Sequence, residues 1–161
     1  MTKRSVAAQR DALEIRRVTP ADELSLADIF EAIVGGGDAQ YFHPHPLTKA
    51  EAHRLAHYEG QDLYYVAADG TNVQAYGMLR GWDEGYAIPS LGIIVHPAAR
   101  GHGLGKLLML FLHAAARTRG AKKIRLKVYR HNLSARQLYE HLGYRFDTEE
   151  QGQIVGLLDL S

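Results

Sequence analysis

Residues 91–112 read LGIIVHPAARGHGLGKLLMLFL, and they lead from a strand through a glycine-rich turn into a helix. Residues 90–95 are nearly all apolar, which is typical of a central strand buried on both faces. From Leu104 onward the apolar residues recur at the i, i+3, i+4, i+7 spacing of an amphipathic helix. The turn carries three alternating glycines, flanked by Arg100 and Lys106. Such a turn brings N–H groups, a helix dipole and charged donors to one point, so it predicts a phosphate site.

Two known phosphate-binding sequence motifs do not match this turn, and their absence narrows the class of phosphate ligand. A Rossmann turn needs a third glycine three residues after Gly103, where this chain has Lys106. A Walker loop needs glycine and Ser or Thr at positions where this chain has Arg100 and Leu107. These mismatches disfavour a dinucleotide or a nucleoside triphosphate as the ligand. A protein that binds the phosphates of a nucleotide stays as the weakest of the alternative functions.

The rest of the chain alternates between strand and helix patterns, with no repeat and no interdomain linker. In chain order we predict a strand over 13–18, a helix from Thr19 to the glycines at 35–37, a short helix over 48–57, a hairpin of strands 63–68 and 73–79, the buried strand over 90–95, a helix from 104 to 120, a strand over 124–128, a helix from Asn132 to Gly143, and closing strands over 144–146 and 154–160. This order indicates an α/β domain with a strand-helix-strand crossover between Leu91 and Val128.

Length and composition restrict the class of protein. At 161 residues and 17.9 kDa we expect one domain over 1–161, with residues 1–12 as a flexible tail. The chain has no cysteine, which excludes disulfides and thiol catalysis and fits a cytoplasmic location. Its net charge of +1 argues against nucleic acid or a membrane surface as a partner. The longest apolar run, 107–112, is far short of the roughly 20 residues that span a bilayer.

Two motifs resemble the signatures of the GNAT superfamily of acyl-CoA-dependent N-acyltransferases. Arg100-Gly-His-Gly-Leu-Gly105 matches the pattern R/Q-x-x-G-x-G/A. Residues 132–144 match N-x-x-A-x-x-L-Y-x-x-x-G-F/Y, at the usual distance downstream. The resemblance covers roughly residues 63–146 and implies a mixed, mostly antiparallel sheet with helices on both faces and a cofactor-binding crossover.

Roles for individual residues follow from this resemblance. It implies that the backbone at Ile94 and Val95 holds the pantetheine arm of acetyl-CoA, and that Asn132 contacts the cofactor. It also implies that the turn wraps the pyrophosphate, through Arg100, Gly101, His102, Gly103, Leu104, Gly105 and Lys106. Tyr139 would face the sulfur as the catalytic acid, and it lies two helical turns from Asn132 on the same face, with the small Ala135 leaving room between them.

The sequence indicates the catalytic base and the acceptor site less strongly than the cofactor site. Glu84 is the first choice for a catalytic base and Asp83 the second, because their loop joins the hairpin to the cofactor strand. The predicted substrate-binding residues are His43, His45, Trp82 and Tyr86. We predict no metal, because the pair His43 and His45 lacks a third ligand of compelling spacing. The pair His53 and His57 is interpreted as a solvated helix face.

The leading hypothesis is an acetyl-CoA-dependent N-acetyltransferase that acts on a small-molecule amine, an amino sugar being one candidate. Because no cysteine can form an acyl-enzyme, the amine would attack directly in a ternary complex. A peptide or protein N-acetyltransferase and a non-catalytic CoA-binding sensor are the alternatives. We also predict that the final strand near 154–158 is exposed and could pair across a homodimer.

Overall fold

The computed structural model describes residues 12–41 and 44–161. Four helices are found: α1 (Glu23–Gly35), α2 (Lys49–Ala56), α3 (Leu104–Thr118) and α4 (Leu133–His141). Seven strands are found: β1 (Leu13–Arg17), β2 (Leu63–Asp69), β3 (Asn72–Arg80), β4 (Ser90–Val95), β5 (Lys123–Val128), β6 (Arg145–Glu150) and β7 (Gln153–Asp159). Each predicted element is present within a few residues of its expected bounds. The predicted tail, apart from Ala12, and His43 lie outside the described residues.

The seven strands form one sheet in the order β1-β2-β3-β4-β5-β7-β6. Every neighbouring pair is antiparallel except β4 and β5, which are parallel because α3 connects them as a crossover. The prediction of a mixed, mostly antiparallel sheet is confirmed.

Helices cover both faces of this sheet. Alternate residues of β2 and β3 point to opposite sides, so each strand supplies two hydrophobic clusters. One cluster packs against the buried side of α3, which includes Leu108 and Leu112. The other packs against α1 and α2, whose contributions include Leu26, Ile29 and Leu55. The sheet therefore separates a face covered by α3 from a face covered by α1 and α2.

The N-terminal end of α1 differs from the prediction. Thr19 and Pro20 begin a short 3-10 turn over Pro20–Asp22, and the α-helix starts at Glu23. The buried Asp22 accepts hydrogen bonds from Arg16 at 2.6 Å and from the Thr19 N–H at 2.8 Å. Burial alone would raise the pKa of Asp22, but these hydrogen bonds outweigh it and lower the pKa. An ionised Asp22 thus ties the start of α1 to β1.

The prediction of an exposed final strand is wrong. β7 lies between β5 and β6 and pairs with both, and its residues Gln153 to Gly156 are buried. Its backbone groups are therefore used inside the sheet, and the basis for pairing it across a dimer is lost. The outer strands are β1 and β6.

Across the described parts of the chain, no helix has both the length and the apolar character needed to cross a bilayer.

Candidate functional site

The site is centred where β4 and β5 separate. Strand pairing between these parallel strands is found only at Ser90 and Arg125 among the described residues, with one further bond from the Arg125 N–H to the Pro89 carbonyl at 3.0 Å. On its other edge β4 pairs with β3 along its whole length. Beyond Leu91, including Ile94 and Val95, the edge of β4 that faces β5 is therefore open to an extended ligand.

The turn after β4 is shaped for an anion. His96 Nδ1 accepts a hydrogen bond from the Ala98 N–H at 3.0 Å and starts the turn. Gly101 and Gly103 both have a φ of +82°, in the left-handed region that favours glycine. Apart from each glycine and its two chain neighbours, no described residue has an atom within 4 Å of the position that a Cβ would take at Gly101 or Gly103. Since Gly103 is also the N-cap of α3, open space and the free N–H groups of a helix start coincide here.

The predicted phosphate-binding cations lie beside this turn. Lys106 is exposed on the first turn of α3. Arg100 is also exposed, and its guanidinium forms an ion pair with Asp38 at 2.8 Å. Asp38 belongs to the segment after α1, so this ion pair joins the glycine turn to the segment between α1 and α2. His102 is exposed, and its Nδ1 lies 3.3 Å from the Ala99 carbonyl.

The second motif forms α4 and the residue before it. Asn132 is the N-cap of α4, as predicted, but its side chain accepts no capping hydrogen bond, so its amide does not serve the helix. Ala135 and Tyr139 are half-buried on the same helix. The Tyr139 ring packs against Tyr144 with centroids 5.9 Å apart. Burial raises the pKa of Tyr139, so its phenol stays protonated at neutral pH and can donate a proton.

A buried carboxylate that sequence reasoning missed organises the loop between β3 and β4. Asp62 Oδ1 accepts three backbone hydrogen bonds, from Gly81 at 3.0 Å, Trp82 at 2.9 Å and Asp83 at 3.2 Å. Asp62 precedes β2 in the sequence, and no local pattern connects it to a loop about 20 residues away. The only sequence signal was an acidic residue directly before a strongly apolar strand.

The two candidate bases differ in their surroundings. Asp83 accepts hydrogen bonds from Tyr58 Oη and from the Gln61 N–H, the latter at 2.8 Å. The hydrogen bond from Tyr58 is the main cause that lowers the pKa of Asp83, which makes it a weaker base. Glu84 is exposed on the same turn.

The predicted substrate-binding residues are spread over different environments. Trp82 is half-buried, with the Arg119 guanidinium 4.7 Å from its ring centroid, whereas Tyr86 is exposed. His45 is buried against Phe30, and its Nε2 lies 2.8 Å from the Tyr76 hydroxyl. Burial lowers the pKa of His45, so its imidazole is neutral. The structure thus places His45 within the core beneath α1, whereas Trp82 and Tyr86 share the loop held by Asp62.

Comparison with known proteins identifies a matching protein family and solved structures of similar fold. The model of the Acetyltransferase (GNAT) family matches residues 28–144, from within α1 to just beyond α4. An uncharacterized N-acetyltransferase, YycN, of Bacillus subtilis is 44% identical over 46 residues, which are 29% of this chain and 30% of that protein.

Two solved structures illustrate the fold. The GNAT domain of PAT from S. lividans is 21% identical, with a TM-score of 0.77, over 91% of this chain and 90% of that one. The protein yncA of Salmonella typhimurium, solved with its cofactor acetyl-CoA, is 22% identical, with a TM-score of 0.75, over 94% of this chain and 95% of that one. At these identities the likeness concerns the fold alone.

Two glycine variants test the shape of the turn. In Gly103→Ala the left-handed φ costs about 1–2 kcal/mol of stability, and the helix start must move. We expect a lower unfolding midpoint and roughly tenfold weaker binding of acetyl-CoA, equivalent to about 1.4 kcal/mol of lost contacts. Isothermal titration calorimetry and thermal unfolding measure the two effects.

Gly105→Ala is the matched control. A Cβ at Gly105 would meet Val95 at 3.6 Å and Ile93 at 3.8 Å, which are ordinary contacts. Because alanine also favours the helix, we expect about 0.5–1 kcal/mol of added stability with acetyl-CoA binding retained. Equal loss of binding in both variants would contradict a site whose geometry depends on the backbone conformation of Gly103.

Proposed function

Since the chain belongs to the GNAT family of acetyltransferases, we propose that it transfers the acetyl group of acetyl-CoA to a primary amine of a small molecule. The observation that carries the proposal is the open edge of β4, which is followed directly by the glycine turn at the start of α3. The second motif adds a protonated tyrosine, Tyr139, on α4.

The residues present suit the co-substrate. The left-handed glycine turn and the start of α3 offer N–H groups to the pyrophosphate, with Arg100 and Lys106 as charged donors. The open backbone of Ile94 and Val95 can pair with the amide groups of the pantetheine arm. The Asn132 amide is not needed as a helix cap, and Ala135 is small enough to leave space beside it. Acetyl-CoA supplies the thioester whose carbonyl carbon is attacked.

The proposed reaction is a direct transfer. The neutral amine nitrogen bonds to the thioester carbon, and backbone N–H groups of β4 stabilise the oxyanion that forms. The carbon–sulfur bond then breaks, and Tyr139 donates its phenolic proton to the departing thiolate. The proton lost by the amine passes to a base. Because the chain has no cysteine, we assign no cysteine acyl-enzyme step.

Glu84 is the residue we propose as the base. The carboxylate of Asp83 is held by Tyr58 and the Gln61 N–H, and these bonds stabilise its ionised form. Glu84 is exposed on the same turn, next to a carboxylate that fixes the loop in place. This division gives Asp83 a positioning role and leaves Glu84 to accept the proton.

The acceptor is proposed to lie against the loop that carries Trp82 and Tyr86. Three hydrogen bonds to Asp62 hold the start of this loop, which makes it a rigid wall. The exposed Tyr86 ring and the half-buried Trp82 offer flat apolar surface of the kind that lines small-ligand pockets. These features favour a small amine, amino sugars among them.

Release of free CoA thiol tests the proposed function. The purified protein is mixed with acetyl-CoA and a panel of amino sugars, amino acids, polyamines and short peptides, and the thiol is followed with a chromogenic reagent. The protein itself gives no background because it has no cysteine. We expect thiol release only when a suitable small amine is present. Acetyl-CoA binding without turnover on any amine would overturn the catalytic proposal, and turnover on peptides alone would overturn the acceptor class.

Replacing Tyr139 with phenylalanine tests the catalytic acid. We expect kcat to fall by roughly 100-fold or more, the usual contribution of a positioned acid, while the Kd for acetyl-CoA stays nearly unchanged. Because burial raises the pKa of Tyr139, the wild-type rate should lose this group's contribution only at a higher pH than an ordinary tyrosine would allow. Tyr144→Phe is the control, since the Tyr144 hydroxyl is hydrogen-bonded to His113 at 2.8 Å. An equal loss of kcat in both variants would refute the specific role of Tyr139.

Paired variants of the two acidic residues test the base. Glu84→Gln should lower kcat by roughly 100-fold with little change in KM for the amine, because the amide cannot accept the proton. Asp83→Asn should act mainly through KM for the amine, because it loosens the loop. If kcat falls in Asp83→Asn and stays unchanged in Glu84→Gln, the two roles are reversed.

A further inference from the structure

A cluster of three possible metal ligands lies where α1 and α2 meet, apart from the residues placed in the acetyl-transfer site. Glu23 is the first residue of α1. His53 lies on α2, three residues before the final residue Ala56, and His57 is the C-cap of α2. Each residue can bring one donor atom within 4.8 Å of the donor atoms of the other two. Both histidines are exposed and Glu23 is half-buried, so an ion could reach the cluster from solvent.

The helix explains why the two imidazoles are neighbours. Residues four apart lie one turn above each other on the same face of a helix. The ring centroids of His53 and His57 are 4.4 Å apart, with an angle of 34° between the planes. Two histidines at this spacing form a recurrent half-site for transition-metal ions. Both histidines are exposed, as the interpretation of a solvated helix face expects, and the structure adds the carboxylate of Glu23 beside them.

The hydrogen bonds orient these rings. His57 Nδ1 lies 2.9 Å from the main-chain carbonyl of His53. A carbonyl only accepts, so Nδ1 carries the hydrogen and Nε2 of His57 keeps a lone pair for a ligand. A hydrogen bond from one ring nitrogen to a carbonyl is the arrangement that orients histidines whose other nitrogen binds a metal. His53 Nδ1 is hydrogen-bonded to the Glu23 carboxylate, which draws α1 and α2 together at this point.

We propose that Glu23, His53 and His57 bind one divalent transition-metal ion of the Zn²⁺ type. Two imidazoles and a carboxylate are a donor set that suits Zn²⁺, with solvent completing the coordination. A surface ion pair between Glu23 and His53 alone would stabilise the protein little, and it would not use His57. The metal uses all three side chains.

The bound ion would fasten the two helices that cover one face of the sheet. α1 and α2 already share a hydrophobic contact that includes Leu26 and Leu55. The segment that joins them carries Asp38, the ion-pair partner of Arg100 in the glycine turn. Because an ion that binds only the folded state stabilises it by mass action, metal occupancy should raise the unfolding midpoint.

Titration of the full chain, freed of any affinity tag, with Zn²⁺ alone tests the proposal. We expect one ion per chain by calorimetry, and a midpoint raised by about 5 °C or more at 100-fold excess over Kd. Co²⁺ in place of Zn²⁺ should produce visible d–d absorption that reports nitrogen and oxygen ligation. His53→Ala, His57→Ala and Glu23→Gln should each weaken binding by about tenfold or more.

His141→Ala is the matched control, because it removes one exposed histidine from the end of α4. It should bind Zn²⁺ as the unchanged protein does. Circular dichroism and metal-free unfolding verify that every variant is folded, which the exposure of both histidines favours. Undetectable Zn²⁺ binding, or binding that is equal in the unchanged protein and in His57→Ala, would overturn the site.

Discussion

The close packing of α3 on the sheet is the constraint on which the rest of the site depends. At Gly77 in β3, a Cβ would lie 3.0 Å from the side chains of both Leu108 and Leu112 of α3, so a larger residue would force these side chains to shift. The approach sets the position of α3, and α3 in turn sets where its first N–H groups point. Because α3 begins directly after the glycine turn, the proposed anion site lies at the end of β4.

The same crossover accounts for the opening beside β4. A helix between two parallel strands must pack over them, and here the strands remain paired only near Ser90 and Arg125. An unpaired strand edge inside a sheet is costly unless a ligand or water meets its backbone groups. The chain accepts this cost between β4 and β5, next to the glycine turn that follows β4. We propose that this open edge is part of the acetyl-CoA site.

Polar contacts far apart in the sequence hold the loops around this opening. Asp62 takes three N–H groups of the loop after β3, and each buried donor left without a partner would cost about 1–3 kcal/mol. Asp83 extends the same anchoring to Tyr58 and Gln61. On the other side, Arg100 and Asp38 join the glycine turn to the segment between α1 and α2. The loops around the opening are therefore held by a few polar side-chain contacts.

The sequence by itself determined the elements and the motifs. Apolar periodicity and turn chemistry depend on neighbours along the chain, so the α3 helix, the β2–β3 hairpin and the two family motifs could be read directly. The N-cap of α2 is equally local, since the Thr48 side chain accepts a hydrogen bond from the Glu51 N–H at 3.1 Å.

Only the tertiary structure decided what depends on strand order and on contacts between distant segments. The final strand β7 lies inside the sheet and not at its edge, because β6 pairs with the outer side of β7. The tertiary structure also placed His45 in the core, brought Asp62 to a loop 20 residues away, and set Glu23 beside His53 and His57. Local patterns record which residues a segment can bury, but they carry no information about which distant segment will lie against it.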